Sequence, residues 1–326
     1  MSLTKQEEEE LCCAFSQSIR DDVAVPVAAM HALIQSIKRS KAGTWMQLEQ
    51  ELRNAIKCLK SQSKSEHLRG RTTISLGSGC ELFMKYVTRA FNIDDMDFTT
   101  CKEELLKRGK RFAGMSFSSR TYIADVGHSF VQDSCTVLIH GNSRVVLALL
   151  LKAAESKQFN IIITEGRPND DGYILAKTFI EAGIPTKVIL DCAVGSVMDQ
   201  VDLCLVGAEG VMENGGIINK LGTYQIAIVA KALKKPFYVA VESYKFARMY
   251  PLSQKDLEDL CINDIDNNKN NNSNNSNNNN NLEQNKFTFE KASIDFTPAE
   301  FITLLFTDLG ALTPAAVSDE LIRLFE

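Results

Sequence analysis

Five short apolar runs recur from about residue 130 onward: TVLIH (136–140), NIIIT (160–164), TKVIL (186–190), LCLVG (203–207) and FYVAV (237–241). Their length suits strands better than helices, and they are dominated by β-branched and aliphatic residues. A strand with no polar alternation is buried on both faces. Between most of these runs lie helical patterns, SRVVLALLLKAAES, GYILAKTFIEAG and YQIAIVAKALKK. Doubly buried strands alternating with helices predict an α/β domain with a Rossmann-like, doubly wound parallel sheet. In such sheets ligands sit beyond the carboxyl ends of the strands, near the point where strand order reverses.

The first third reads differently. AVPVAAMHALIQSIKRS (24–40) and TWMQLEQELRNAIKCLKSQ (44–62) place apolar residues three and four apart with charge between them, the mark of amphipathic helices. GSGCELFMKYVTRAF (77–91) opens on small, cap-like residues, and TTCKEELLKRGKRFAG (99–114) sets Thr100 three residues before Glu103 as a capping box. The expected organisation is a helical N-terminal domain over 1–125 and a Rossmann-like C-terminal domain over 126–326. The Asn-rich stretch 263–285 interrupts the second domain; with almost no apolar content it is expected to be a disordered surface insertion. Beyond it, TPAEFITLLFTDLG (297–310) has a Thr cap, an early Pro, an apolar stripe and a final Gly, and predicts a helix.

Charge and cysteine usage exclude several classes. The net charge of −5 offers no basic footprint for nucleic acid. The nine cysteines include no C-x-x-C pair and no zinc spacing; they read as reduced thiols in a cytosolic protein, with no metal expected. The first residues lack the basic and apolar regions of a secretory signal, and no apolar run approaches the ~18 residues of a membrane span.

A parallel sheet would gather the strand-end loops at one edge, bringing Asn142, Ser143, Arg144, Glu165, Arg167, Asp191, Glu209, Asn219 and Lys220 around one crevice. The stretch GAEGVMENGGIINKLGT (207–223) crowds Gly207, Gly210, Gly215 and Gly216 into one loop, with Asn219 and Lys220 at an expected helix start, where free N–H groups favour anions. A phosphate-bearing small molecule and a purely structural Gly-rich connection both fit this loop. The spacing is not that of a P-loop, and no G-x-G-x-x-G follows a strand, so no nucleotide cofactor is implied. Glu209 is the one candidate general base there. His140 reads as a packed core histidine, and Cys135 precedes its strand and belongs to the opposite sheet edge, so a catalytic pair is incomplete.

Several stretches carry a resemblance: VGAEGVMENGGIINKLGT, KPFYVAVESYKFARMYPL, DCAVGSVMDQVDLCLVGAEG, SGCELF (78–83), SRVVL (143–147) and FITLLFTDLGALTPAAVSDELI. They resemble the initiation factor 2B alpha/beta/delta family, and ENGGIINKLGT with the FTDLGALTPAAVSDELI ending is most similar to its alpha branch. The resemblance implies a non-catalytic regulatory subunit of the guanine-nucleotide exchange factor for initiation factor 2. It implies a homodimer that joins beta, gamma, delta and epsilon subunits and senses initiation factor 2 phosphorylated on its alpha subunit. It also implies a sugar-phosphate pocket, with Ser78, Gly79, Arg144, Arg167, Glu209, Asn219 and Lys220 as its residues. The related ribose-1,5-bisphosphate and methylthioribose-1-phosphate isomerases use a cysteine after an early strand and an aspartate in a Gly-Ala-Asp motif. Carried over, the aspartate position is Glu209 and the cysteine's loop is IHGNSR, which has no Cys. Phe246, Tyr250, Phe301, Leu304, Leu305 and Phe306 are expected to leave apolar surface for a dimer contact.

Overall fold

A computed structural model describes residues 5–20, 23–61, 73–91, 98–167, 169–257 and 293–325; the Asn-rich stretch 263–285 lies outside the described residues. Five helices come first: α1 (Lys5–Arg20), α2 (Val25–Arg39), α3 (Trp45–Ser61), α4 (Thr73–Phe91) and α5 (Phe98–Gly127). In α3 the buried residues are Leu48, Leu52, Ala55 and Leu59, one stripe at three- and four-residue spacing. The apolar residues of α2 run nearly all round, and it is correspondingly central: Ala28, Ala29, Met30, Leu33 and Ile37 are fully buried among α1, α3 and α4.

Two details differ from the sequence reading. Helix α4 starts at Thr73, so Gly77–Gly79 lies inside it and caps nothing. Gly79 is there because α4 crosses α2 at contact distance: a Cβ would lie 2.6 Å from Pro26 Cβ. Helix α5 starts at Phe98, which puts Thr100 inside its first turn instead of at its cap. This helix reaches across the molecule, with Leu105 in the helical core and Ile123 and Ala124 against the sheet.

The rest of the chain runs β1 (Thr136–His140), α6 (Arg144–Ala154), β2 (Asn160–Thr164), α7 (Asp171–Glu181), β3 (Thr186–Ile189), α8 (Val194–Val197), β4 (Leu203–Val206), β5 (Gly210–Met212), β6 (Ile217–Lys220), α9 (Thr223–Ala232), β7 (Phe237–Ala240), β8 (Phe246–Ala247), β9 (Ile294–Thr297), β10 (Leu304–Thr307), β11 (Gly310–Leu312) and α10 (Ala316–Phe325). The main sheet has the order β11-β10-β7-β4-β1-β2-β3, parallel except for β11. Read from β3, this is the 3-2-1-4 order of a doubly wound fold, and strand order reverses between β1 and β4.

Both sheet faces are covered. Leu138, Ile162, Cys204, Val206 and Leu305 face α8, α9 and α10. Their neighbours Val137, Ile139, Ile161, Ile163, Leu203, Leu205 and Phe306 face α5, α6 and α7. That division explains why the strands read as unbroken apolar runs.

A second sheet, β8-β5-β6-β9, follows β4 directly. It packs Met212, Ile218, Ala247, Ile294 and Phe296 against Ile74 of α4 and Leu257. The helix expected over 297–310 is not formed. That segment is the end of β9, a 3-10 turn Ala299–Phe301, strand β10 and a tight return into β11. Leu304–Thr307 gains a parallel ladder with β7, and Thr307 Oγ1 fixes the return by accepting from Leu309 N and donating to the Gly310 carbonyl. The apolar residues expected at a surface are mostly inside: Phe246, Leu305 and Phe306 are core, and Phe301 and Leu304 pack partly against it. Tyr250 alone of the six stays well exposed, at 65%. Among the described residues, no helix is long and apolar enough to cross a membrane.

Candidate functional site

A cavity of about 150 Å³ opens at the carboxyl ends of β1 and β4, at the switch point of the main sheet. At about 30 Å³ for each liquid water, a space of that size holds about five water molecules. Its floor is the loop after β1 (Gly141, Asn142, Ser143), its far wall the loop after β4 (Gly207, Ala208, Glu209), and its sides Asn219 and Lys220 from β6 and Glu242 and Lys245 after β7. Ala24, Val25, Pro26 and Ser75 close it from the helical region. The two strand-end loops touch: a Cβ on Gly207 would lie 2.5 Å from Ser143 Oγ, so only glycine lets β4 turn this close to the α6 cap.

Two helices aim their N-termini here. Ser143 caps α6, its hydroxyl accepting from Val146 N at 3.4 Å, and Arg144 and Val145 line the cavity in the first turn. Ala24, Val25 and Pro26 form the start of α2. Helix starts present unsatisfied N–H groups and the positive end of the dipole, which suit an anion.

The charges are mixed but differently committed. Glu242 is 2% exposed and pairs with Lys245 Nζ at 3.0 Å, while Tyr244 donates its hydroxyl to Glu242 Oε1 at 2.8 Å. Burial pushes the Glu242 carboxyl up, but the ammonium and these hydrogen bonds outweigh it, and its pKa lies below the ordinary value. Lys245 also donates to the Ala208 carbonyl at 3.0 Å, so this cation is tied on two sides. Among the described residues, nothing pairs with the side chains of Lys220 or Glu209.

His140 lies under the cavity, 3% exposed, with Nδ1 at 2.6 Å from Thr164 Oγ1 and Nε2 at 3.0 Å from the Leu221 carbonyl. A carbonyl only accepts, so Nε2 donates and Nδ1 takes the threonine proton. Burial lowers the pKa of His140 and keeps it neutral, a packed histidine with both nitrogens engaged.

Of the residues expected to converge, Asn142, Ser143, Arg144, Glu209, Asn219 and Lys220 line the cavity. Ser78 and Gly79 do not: the Ser78 hydroxyl is spent on the Ser75 and Tyr244 carbonyls, and Gly79 faces Pro26. Arg167 lies apart, 62% exposed and paired with Glu165 and Asp170. Asp191 accepts from Gly166 N and Arg167 N at 2.9 and 2.8 Å and so braces that neighbouring loop.

Asn219 and Lys220 are not at a helix start. They end β6, and α9 begins three residues after Lys220. The N–H groups there are already taken, because Asp295 Oδ2 accepts from Gly222 N at 2.8 Å and Tyr224 N at 3.0 Å. Lys220 therefore reaches the cavity from a strand, and the N-termini that serve it belong to α6 and α2.

Sequence reasoning missed Glu242, Lys245 and the start of α2. The first two sit in the VESYKF strand-end loop, where a Glu-x-x-Lys spacing was the available signal. The third carries none, since Ala, Val and Pro reach the cavity only through tertiary packing. Among the described residues, no cysteine lines the cavity; Cys135 is buried before the opposite end of β1. Among the described residues, no group of three His, Cys, Asp or Glu side chains could hold a metal.

Fold and cavity together define a class: a doubly wound sheet whose switch point presents cations and helix N-termini, with no thiol among its lining residues and a helical region as roof. The sequence pattern of the Initiation factor 2 subunit family matches residues 18–314, and the chain belongs to that family. It is 46% identical over 305 residues to the translation initiation factor eIF2B subunit alpha of Dictyostelium discoideum, covering 93% of this chain and 92% of that one. It is 32% identical over 216 residues to a ribose 1,5-bisphosphate isomerase of Archaeoglobus fulgidus, 65% of each chain. The fold matches a subunit in the crystal structure of the tetrameric eIF2B-beta2-delta2 complex from C. thermophilum, with a TM-score of 0.75 at 17% identity over 97% of this chain and 94% of that one.

Proposed function

We propose that the chain is the alpha-type subunit of a translation initiation factor 2B assembly, regulatory and without catalysis of its own. In this reading it is a cytosolic homodimer that joins the beta, gamma, delta and epsilon subunits, and it takes part in sensing initiation factor 2 phosphorylated on its alpha subunit. The observation that carries the reading is the 46% identity to a protein named eIF2B subunit alpha, over 93% of this chain and 92% of its relative. The test is purification of the tagged full-length chain from the cells that make it. Recovery of four further initiation-factor subunits in fixed proportion is expected; recovery of the chain alone would overturn the assignment.

The cavity belongs to the same proposal as a site for a sugar phosphate. Its support is that Lys220, whose ammonium has no partner among the described residues, lines one cavity with Asn219, the Ser143 cap of α6 and Arg144 in its first turn. The N–H groups and cations take the phosphate, and the carboxylates of Glu209 and Glu242 accept hydroxyls. Ligand that binds only the folded state raises its melting temperature. A hexose phosphate is expected to do so for the native protein and not for Lys220→Ala; no shift in either would remove the ligand and leave the assembly role standing.

A second reading, isomerisation of a phosphorylated pentose, is favoured by the likeness to the Archaeoglobus enzyme. Against it, the cavity offers no thiol, and at the acid position carries Glu209, whose extra methylene displaces the carboxylate. Proton transfer at a sugar carbon needs two groups poised across the substrate, and neutral His140 has both nitrogens engaged.

A further inference from the structure

Away from the cavity, two thiols face each other in the helical region. Cys12 on α1 and Cys58 on α3 lie 46 positions apart in sequence, with their sulfurs 3.8 Å apart and both side chains part-buried. Among the described residues, no other two cysteine sulfurs make such a contact; Cys80, Cys135 and Cys204 are buried singly. A disulfide bond is about 2.05 Å long, so the sulfurs, already in contact at 3.8 Å, must close by roughly 1.8 Å. Helix α1 commits only Leu11 and Phe15 fully to the core, and its Glu7, Glu8 and Glu9 are exposed. It is the helix of this group with the fewest fully buried residues, and the one for which a covalent tie changes most.

We propose that Cys12 and Cys58 are an oxidation site at which a peroxide closes a reversible disulfide, locking α1 onto α3. The Cys12 thiolate attacks a peroxide oxygen; an S–O bond forms, the O–O bond breaks, and the departing hydroxide takes up the thiol proton as water. The Cys58 thiolate then attacks that sulfur; the S–S bond forms, the S–O bond breaks, and a second water leaves. Two thiols lose two electrons and two protons, and one peroxide is reduced to two waters. A dithiol reductant reverses the bond by exchange.

Order and rate follow from the surroundings. Burial raises both thiols, Cys58 to about 12; the hydrogen bond from Cys58 partly offsets this for Cys12, which makes Cys12 the first nucleophile. With both thiols raised and so largely protonated near neutrality, closure is slow and speeds up as pH rises and the thiolate fraction grows.

The test uses the full-length protein treated with hydrogen peroxide, alkylated with N-ethylmaleimide and cut with trypsin. The expected product joins peptide 6–20 to peptide 58–60. Since 6–20 also contains the exposed Cys13, three variants separate the pairs: the cross-link survives Cys13→Ser and is lost in Cys12→Ser and in Cys58→Ser. The first sulfur is read in Cys58→Ser, where a sulfenic-acid trap is expected on Cys12. Treated native protein should also show slower amide exchange in α1 than treated Cys58→Ser. A cross-link that persists in Cys12→Ser, or both cysteines recovered as maleimide adducts after oxidation at pH 9, would overturn the proposal; so would unchanged exchange in the cross-linked protein.

Discussion

The seven-stranded sheet and the four-stranded sheet solve the same problem with opposite means. In the first, successive residues such as Val137, Leu138 and Ile139 are buried on alternate sides between two helical layers, and the strands stand mainly on area removed from water. In the second, the strands are two to four residues long and lean on side chains that reach across to backbone. Gln254 brackets Phe296 by donating to its carbonyl at 2.6 Å and accepting from its N–H at 2.8 Å, and Asp295 holds the start of α9. The large sheet sets the edge; the small one carries Asn219 and Lys220 up to it, so the proposed site lies where the two sheets meet.

Substitutions can strain that contrast. The largest effect belongs to the large sheet: Phe237→Ala, at a site 1% exposed, should lower unfolding stability by about 3–5 kcal/mol in urea titrations. A loss below 1 kcal/mol would mean the two sheets are held by similar means. Next comes pH. Among the described residues, Asp295 Oδ1 is buried without a partner, and burial raises the carboxyl pKa from 3.8 to about 7. A carboxyl raised by folding contributes stability that is full below 3.8 and is lost as pH rises through about 7. Asp295→Asn keeps an acceptor for Gly222 N and Tyr224 N and should remove a decline of about 1.4 kcal/mol per pH unit between those values. An unchanged pH profile would show Asp295 ionised throughout.

At the seam, Gly207→Ala places a methyl against Ser143. It should cost about 1–3 kcal/mol by overpacking and abolish the thermal shift with a hexose phosphate. A full ligand response in a variant destabilised to that extent would separate the seam from the site. The smallest effect is Ile218→Val, in the small sheet's own core, at about 1 kcal/mol with ligand response retained.

The same contrast decides what could be read from sequence. TVLIH and NIIIT became β1 and β2 with the predicted bounds, because a doubly buried strand writes itself as an apolar run. GVM and IINK did not read as strands, being short and set among glycines and turns. LLFT inside TPAEFITLLFTDLG matched a helical stripe, and only the neighbour β7, far away in sequence, makes it a strand. In the site, Arg144 and Glu209 were legible from their place in loops after strands, whereas Asn219 and Lys220 were expected at the cavity but on a helix start, and they reach it from the end of β6. Lys245 acquires its role from Glu242 and the Ala208 carbonyl, and the start of α2 from a helix crossing, neither of which local sequence encodes.

The central claim is that the switch-point cavity holds a phosphorylated sugar and leaves it unchanged. Phosphorus magnetic resonance of ribose 1,5-bisphosphate incubated with the purified full-length chain tests both halves at once. The account predicts resonances that shift or broaden with protein, recover with Lys220→Ala, and keep their chemical identity after long incubation. Resonances of a new ketose bisphosphate growing with time, or a spectrum indifferent to the protein, would contradict it.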